Sequence, residues 1–194
     1  MKHPCKTKWQ QKWIGLSVVS PDIQRLADAA EAFCGRFYRN NTKKSLLVIV
    51  GNFGSGKTHT AKAIFRFCLA AAMSAYEAGH WGKGDGKIPS AIFISWPEAA
   101  NAFAEKQFGI MEDAVETKLV ILDDIGAETD QYKSGLSKDK LCQILSRREK
   151  RFTVITTNVA PENWTEMFDG RVDDRLCRNS VICDITKVKS FAKK

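Results

Sequence analysis

The eight residues Gly51-Asn52-Phe53-Gly54-Ser55-Gly56-Lys57-Thr58 constrain what this chain can fold into more than any other segment. They fit the spacing G-x-x-x-x-G-K-[ST], in which glycines let the backbone curl until consecutive N–H groups face one phosphate. Such a loop works between a strand and a helix, because the helix N-terminus adds the positive end of its dipole. Both flanks are present. Ser45 to Val50 is short, apolar and β-branched, the pattern of a strand buried on both faces, and a long apolar helix runs from Lys57 to about Ala78. The motif in this setting predicts a nucleotide site, with Lys57 reaching the β- and γ-phosphates and the Thr58 hydroxyl ligating Mg²⁺. The competing reading, a glycine-rich turn that happens to contain Lys-Thr, does not explain the strand and helix on either side.

The rest of the chain repeats the strand-then-helix rhythm. Ser20-Pro21-Asp22 opens a helix that keeps apolar spacing to about Arg39, and Asn40-Asn41-Thr42 breaks it. Further strands are expected at Ala91–Ser95, Lys118–Leu122, Phe152–Thr157 and Val181–Ile185. Helices are expected from Pro97 through Phe108, near Ser137–Lys150 and near Arg171–Arg178. This alternation predicts an α/β fold, a three-layer sandwich with a mostly parallel five-stranded sheet. Residues 1–19 read as a basic, Trp-containing arm (Trp9, Trp13), 20–186 as the core, and 187–194 as a basic tail. Residues 79–87 hold four glycines and read as a surface loop.

Composition narrows the partners. The chain has 194 residues, 30 Lys+Arg against 22 Asp+Glu, and a formal net charge of +8, which favours a polyanion partner. No apolar run is long enough to cross a bilayer, and the N-terminus lacks the apolar segment of a secretory signal, so a cytoplasmic protein with no membrane partner is expected. The six cysteines show no C-x-x-C spacing and read as buried reduced thiols; His3 and Cys5 have no second ligand pair to make a zinc site.

Chemistry beyond the glycine loop is expected at two strand ends and one helix. Asp123 and Asp124 close an apolar strand, where a phosphate-loop fold places the acid that holds Mg²⁺, at the carboxyl end of a neighbouring strand. Asp123 is assigned to Mg²⁺ and Asp124 to the attacking water as general base; a capped Asp-Asp-Ile-Gly turn is the bland alternative. Asn158, after Thr156-Thr157, is placed to hold that water or report the γ-phosphate, although Thr-Thr-Asn is also a common strand ending. Arg171 and Arg175 share one helical face, either as an ion-pair ladder with Asp173 and Asp174 or as an arginine finger for nucleotide in a neighbouring subunit.

Taken in order, these segments resemble the AAA+ ATPases, in particular the DnaC/DnaI/IstB-like helicase-loader and transposition-ATPase branch. The likeness runs from about Ser20 to Ile185. It rests on Gly51 to Thr58 as Walker A, residues 122–128 (Leu-Asp-Asp-Ile-Gly-Ala-Glu) as Walker B, 156–158 as sensor 1, and 171–176 (Arg-Val-Asp-Asp-Arg-Leu) as the arginine-finger box. The resemblance implies the AAA+ P-loop NTPase fold, with Gly51, Asn52, Phe53, Gly54, Ser55, Gly56, Lys57, Thr58 and the adjoining His59 around ATP. It implies Thr58 and Asp123 on Mg²⁺, with Asp124, Asn158, Arg175 and Arg171 in catalysis. It also implies a homo-oligomer with Arg175 acting in trans on DNA, single-stranded or target duplex. The partner is then a replicative helicase or a transposase.

Three departures set further expectations. Asp124 stands where many AAA+ proteins carry Glu, and one methylene less predicts slow hydrolysis. The C-terminal lid with its sensor-2 arginine, and the N-terminal helicase-binding domain, are both expected to be missing. The segment Arg147-Arg148-Glu149-Lys150-Arg151 and Lys187, Lys189, Lys193 and Lys194 are candidate DNA phosphate contacts, and Trp9, Trp13 and Trp81 candidate stacking or docking groups. Two other readings compete. A small-molecule P-loop kinase would show an arginine-rich lid, and residues 79–90 carry Lys83 and Lys87 but no arginine. A nucleotide-dependent scaffold with little hydrolysis is left open by Asp124.

Overall fold

Ser20 starts the first helix as its sequence suggests: its Oγ accepts the Ile23 N–H at 3.3 Å, Pro21 fills the first helical position, and Asp22 lies in the first turn. The computed structural model describes residues 20–77, 90–128 and 135–191 together with Lys12. The arm with Trp9 and Trp13, the His3–Cys5 pair, the glycine-rich loop with Trp81, Lys83 and Lys87, and Lys193 and Lys194 lie outside the described residues.

Helix α1 (Pro21–Tyr38) buries Ile23, Leu26, Ala27, Ala30, Phe33, Cys34 and Phe37, the apolar positions at helical spacing. Phe33 and Phe37 meet Phe152 edge-on, with ring centroids 5.9 and 5.1 Å away. Each such phenyl ring contributes about 2 kcal/mol by leaving water. Strands β1 (Leu46–Val50), β2 (Ala91–Ser95), β3 (Leu119–Ile125), β4 (Phe152–Thr157) and β5 (Ser180–Asp184) form one sheet in the order β2-β3-β4-β1-β5. All four pairings are parallel. Two apolar clusters, one per face, make the three layers. One packs α1 and α2 (Lys57–Glu77) on the sheet. The other packs α3 (Trp96–Ala104), α5 (Leu136–Arg147), α6 (Trp164–Phe168) and α7 (Gly170–Cys177). A parallel sheet covered on both faces explains why β1 and β4 are buried at every residue.

The structure corrects several local expectations. The helix opened by Pro97 does not run through Phe108; it ends at Ala104, and a second helix, α4 (Gly109–Glu116), follows. Lys106 takes a left-handed φ of 61° and reverses the chain, while the Lys106 and Gln107 amides cap the carbonyls of Phe103 and Ala102. Phe108 therefore stacks on Phe103 from the next turn. Helix α5 stops at Arg147 rather than Lys150, and the 3₁₀ turn Pro161–Asn163 and α6 had no periodic signal. Cys34, Cys68, Cys142 and Cys183 are buried free thiols, but Cys177 is exposed. No helix among the described residues is long and apolar enough to cross a membrane.

The basic run 147–151 is only partly a free cationic surface: Arg147, Lys150 and Arg151 are exposed, and Arg148 is not. Arg148 is 3% exposed, and its guanidinium donates to the carbonyls of Ala114 (2.6 Å), Thr117 (2.7 Å) and Phe152 (2.6 Å) and to Thr153 Oγ1 (3.0 Å). Arg151 donates to the Val115 carbonyl at 2.7 Å. The carbonyls of Ala114, Val115 and Thr117 are orphan acceptors at the end of α4, which the two arginines cap, so Arg148 is withdrawn from any DNA-facing role.

Candidate nucleotide-binding site

Parallel pairing places every strand's carboxyl end on one edge of the sheet, and the predicted residues of Walker A, Walker B and sensor 1 meet there. The loop after β1 curls through Gly54 and Gly56, whose φ values of 72° and 94° suit glycine. Gly51 has no room for a side chain: a Cβ would lie 2.7 Å from Ile185 Cγ1 and from Ser55 Oγ. Lys57, 5% exposed, folds back over the loop and donates from Nζ to the carbonyls of Gly51 (2.8 Å) and Asn52 (3.1 Å). Burial lowers its pKa, and the charges of Asp124 and Asp123 oppose that shift.

Asp123 comes from β3, which is not a neighbour of β1. Strand β4 lies between them, which corrects the expected adjacency. The intervening strand supplies the link: Thr156 Oγ1 donates to Asp123 Oδ1 at 2.7 Å, and Thr58 Oγ1 donates to the same oxygen at 3.1 Å. Burial raises the Asp123 pKa and the Thr156 hydrogen bond pulls it back. Thr156 Oγ1 also accepts the Asp124 N–H at 2.9 Å. One hydroxyl thus fixes both acids. Asp124 sits in a register shift of β3 with φ at 60°, a left-handed conformation that no local motif around it signals. Asn158 follows β4 beside the loop, since Gly51 N–H donates to the Thr157 carbonyl at 3.1 Å.

Not every loop residue points inward. The Asn52 side chain donates to the Thr186 carbonyl at 2.6 Å, Phe53 is 73% exposed, and His59 is exposed on the first turn of α2. Part of the expected basic tail backs the loop instead: Phe191 N–H donates to the Gly54 carbonyl at 2.8 Å, and Val188 is buried.

Arg171 and Arg175 lie elsewhere. Helix α7 leads into the start of β5, so Arg175, in its last turn, is near the amino ends of the strands, opposite the glycine loop, and Arg171 lies one turn earlier. Arg171 pairs with Asp139 and Asp169 at 2.9 Å each, which raises its pKa. Arg175 donates from Nε to Ser146 Oγ at 2.5 Å and from Nη1 to the Arg171 carbonyl at 2.8 Å. It lines a cleft of about 100 Å³ with Ser45, Leu46, Lys150 and Arg178. The ladder partners differ from those expected, because Asp173 accepts a hydrogen bond from Thr165 and Asp174 pairs with Arg178.

The site fits a nucleotide with Mg²⁺. Lys57 is a buried cation held by neutral carbonyls, and Ser55 Oγ is buried in the loop without a hydrogen-bond partner. A hydroxyl and a carboxylate that already share a contact are an Mg²⁺ donor set of the kind completed by phosphate oxygens and water. Among the described residues no cluster of three or more His, Cys, Asp or Glu forms a dedicated metal cage.

No family model matches the sequence, and neither does any curated protein. Solved structures do match. A DnaC helicase loader superposes with TM-score 0.67 at 16% identity, over 93% of this chain and 99% of that one. DnaI gives 0.61 at 19% identity, over 89% of each chain. The replication initiator DnaA bound to AMPPCP and single-stranded DNA gives 0.64 at 14% identity, and this chain spans about half of that protein, 51%. The chain therefore has the AAA+ P-loop NTPase fold, in the form seen in the DnaC and DnaI loaders and the DnaA initiator.

Proposed function

We propose that this protein binds and hydrolyses ATP and assembles on DNA as a loader-type AAA+ protein of replication. The observation that carries the reading is the convergence on Asp123 Oδ1 of hydroxyls from the Walker A helix (Thr58) and the sensor strand (Thr156), beside the buried ammonium of Lys57. Lys57 would hold phosphate charge, and Thr58 and Asp123 would hold Mg²⁺, which neutralises phosphoryl oxygens when bound. Asp124 takes a proton from the attacking water, and Asn158 orients that water. Replication is favoured over transposition because the matching structures include a helicase loader and an initiator bound to single-stranded DNA.

Arg175 fits a role in trans. The length of β1 separates it from its own glycine loop, roughly 16 Å at ~3.3 Å per residue. Its side chain lies instead at the rim of a cationic cleft that a second copy can reach. Arg171, held by Asp139 and Asp169, supports the helix from which Arg175 projects.

Mass measurement in solution with ATP or ADP, with and without single-stranded DNA, tests the assembly. An ATP- and DNA-dependent oligomer is expected, and a persistent monomer refutes it. Arg175→Ala should keep ATP binding and lose cooperative turnover; unchanged turnover removes the trans finger.

A further inference from the structure

The turn that follows the two acids is held by a carboxylate without an assigned role. Glu128 Oε2 accepts the Gly126 N–H at 2.7 Å, and Oε1 accepts the Trp96 indole N–H at 3.2 Å and the Ser137 hydroxyl at 3.4 Å. Trp96 is fully buried and opens α3 directly after Ser95, which pairs with Asp123 across the sheet. Ser137 lies in the first turn of α5. One side chain therefore ties the end of β3 to two helices.

The tie matters because of the backbone it secures. Asp124 holds a left-handed φ of 60°, a conformation that costs a non-glycine residue roughly 1–2 kcal/mol and persists only where its surroundings fix it. On the near side the fix is Thr156, which accepts the Asp124 N–H. On the far side the Ala127 N–H donates to the Asp124 carbonyl at 3.2 Å, closing a turn whose middle N–H, Gly126, ends on Glu128. Gly126 itself is wedged: a Cβ there would lie 2.7 Å from Val159 Cγ2, next to Asn158.

We propose that Glu128 is a positioning residue for hydrolysis, its carboxylate locking the 126–128 turn so that Asp124 keeps its left-handed backbone and, with it, the aim of its side chain. The inference rests on the reading of Asp124 as the base. It differs from a plain stability role because it predicts a loss confined to the chemical step.

The test compares Glu128→Ala, Glu128→Gln and Asp124→Asn in the full chain. Three quantities are read: turnover number, ATP affinity, and hydrogen exchange of the Gly126 amide without nucleotide. Glu128→Ala should lower kcat by roughly tenfold to a hundredfold, the scale of a small misplacement of a catalytic group. ATP affinity should stay within about twofold, as expected when only transition-state interactions are lost. Gly126 exchange should accelerate. Glu128→Gln keeps one oxygen for the Gly126 N–H but turns an NH₂ group towards the Trp96 N–H, so its kcat and exchange should fall between the two. This variant also carries the test if the alanine variant fails to fold. Wild-type kcat in both Glu128 variants, parallel losses in kcat and ATP affinity, or unchanged Gly126 protection overturns the inference. Asp124→Asn separates the two levels. Full turnover there removes the reading of Asp124 itself, whereas a dead Asp124→Asn beside an active Glu128→Ala removes only the role of Glu128.

Discussion

Replacing Arg148 with alanine asks whether the basic run 147–151 serves the fold or a ligand. Four contacts of 3.0 Å or shorter would be lost: Ala114, Thr117 and Phe152 carbonyls and the Thr153 hydroxyl oxygen. Hydrogen bonds to a charged group contribute about 1.5–3 kcal/mol each, so their gross sum is roughly 6–12 kcal/mol. Much of this is offset, because holding a guanidinium away from water costs several kcal/mol. Burial lowers its pKa to about 9, and the charge of Arg151 adds to the effect. The net loss should be about 3 kcal/mol, near the low end for removing one partner of a buried charged network. In a chain this long, that corresponds to a fall in Tm of roughly 6–12 °C. Thermal unfolding by circular dichroism reads the fall, and anisotropy with labelled single-stranded DNA, taken well below Tm, reads affinity. Arg148→Ala should show a lower Tm and unchanged DNA affinity. A Tm within about 2 °C of wild type together with weakened DNA binding would refute it, since one kcal/mol moves Tm by about that much.

The site yields further expectations. Thr156→Val keeps shape but strands the Asp124 N–H, costing about 1–3 kcal/mol in chemical denaturation. It also removes the hydrogen bond that lowers the Asp123 pKa, so that carboxyl should titrate higher still when followed by NMR. Lys57→Ala should abolish the nucleotide-dependent rise in Tm, which in wild type corresponds to about 2.7 kcal/mol at a hundredfold excess over Kd. Gly126→Ala places a Cβ 2.7 Å from Val159 at a φ of +87°, and should cost roughly 2–4 kcal/mol from strain and overpacking, read in urea melts.

Much of the fold was legible because its signals are local. A phosphate loop needs consecutive residues, buried parallel strands read as apolar runs, and Ser20-Pro21-Asp22 carries a helix start in three letters. The candidate site was legible to the extent that its residues sit at element boundaries: Lys57 and Thr58 open α2 after the glycine loop, Asp123 lies near the end of β3, and Asn158 follows β4. The left-handed Asp124, the tie through Glu128 and the capping by Arg148 were not, because each depends on partners far away in sequence. The split between α3 and α4 was hidden for a related reason. Lys106 reverses the chain at a non-glycine residue with no turn motif around it.

A strand, a glycine loop and a helix with the spacing of an anion site, and acids and an amide near later strand ends, are already written in the order of the residues. The tertiary structure decided which strand lies between Walker A and Walker B, and therefore that Thr156 joins the two acids. It also decided that Arg148, at the centre of the conspicuous basic cluster, faces inward. The physical reason is the same in both cases. Backbone periodicity and loop chemistry act between near neighbours, whereas strand order and the pairing of buried polar groups are settled only when distant segments compete for the same interior space.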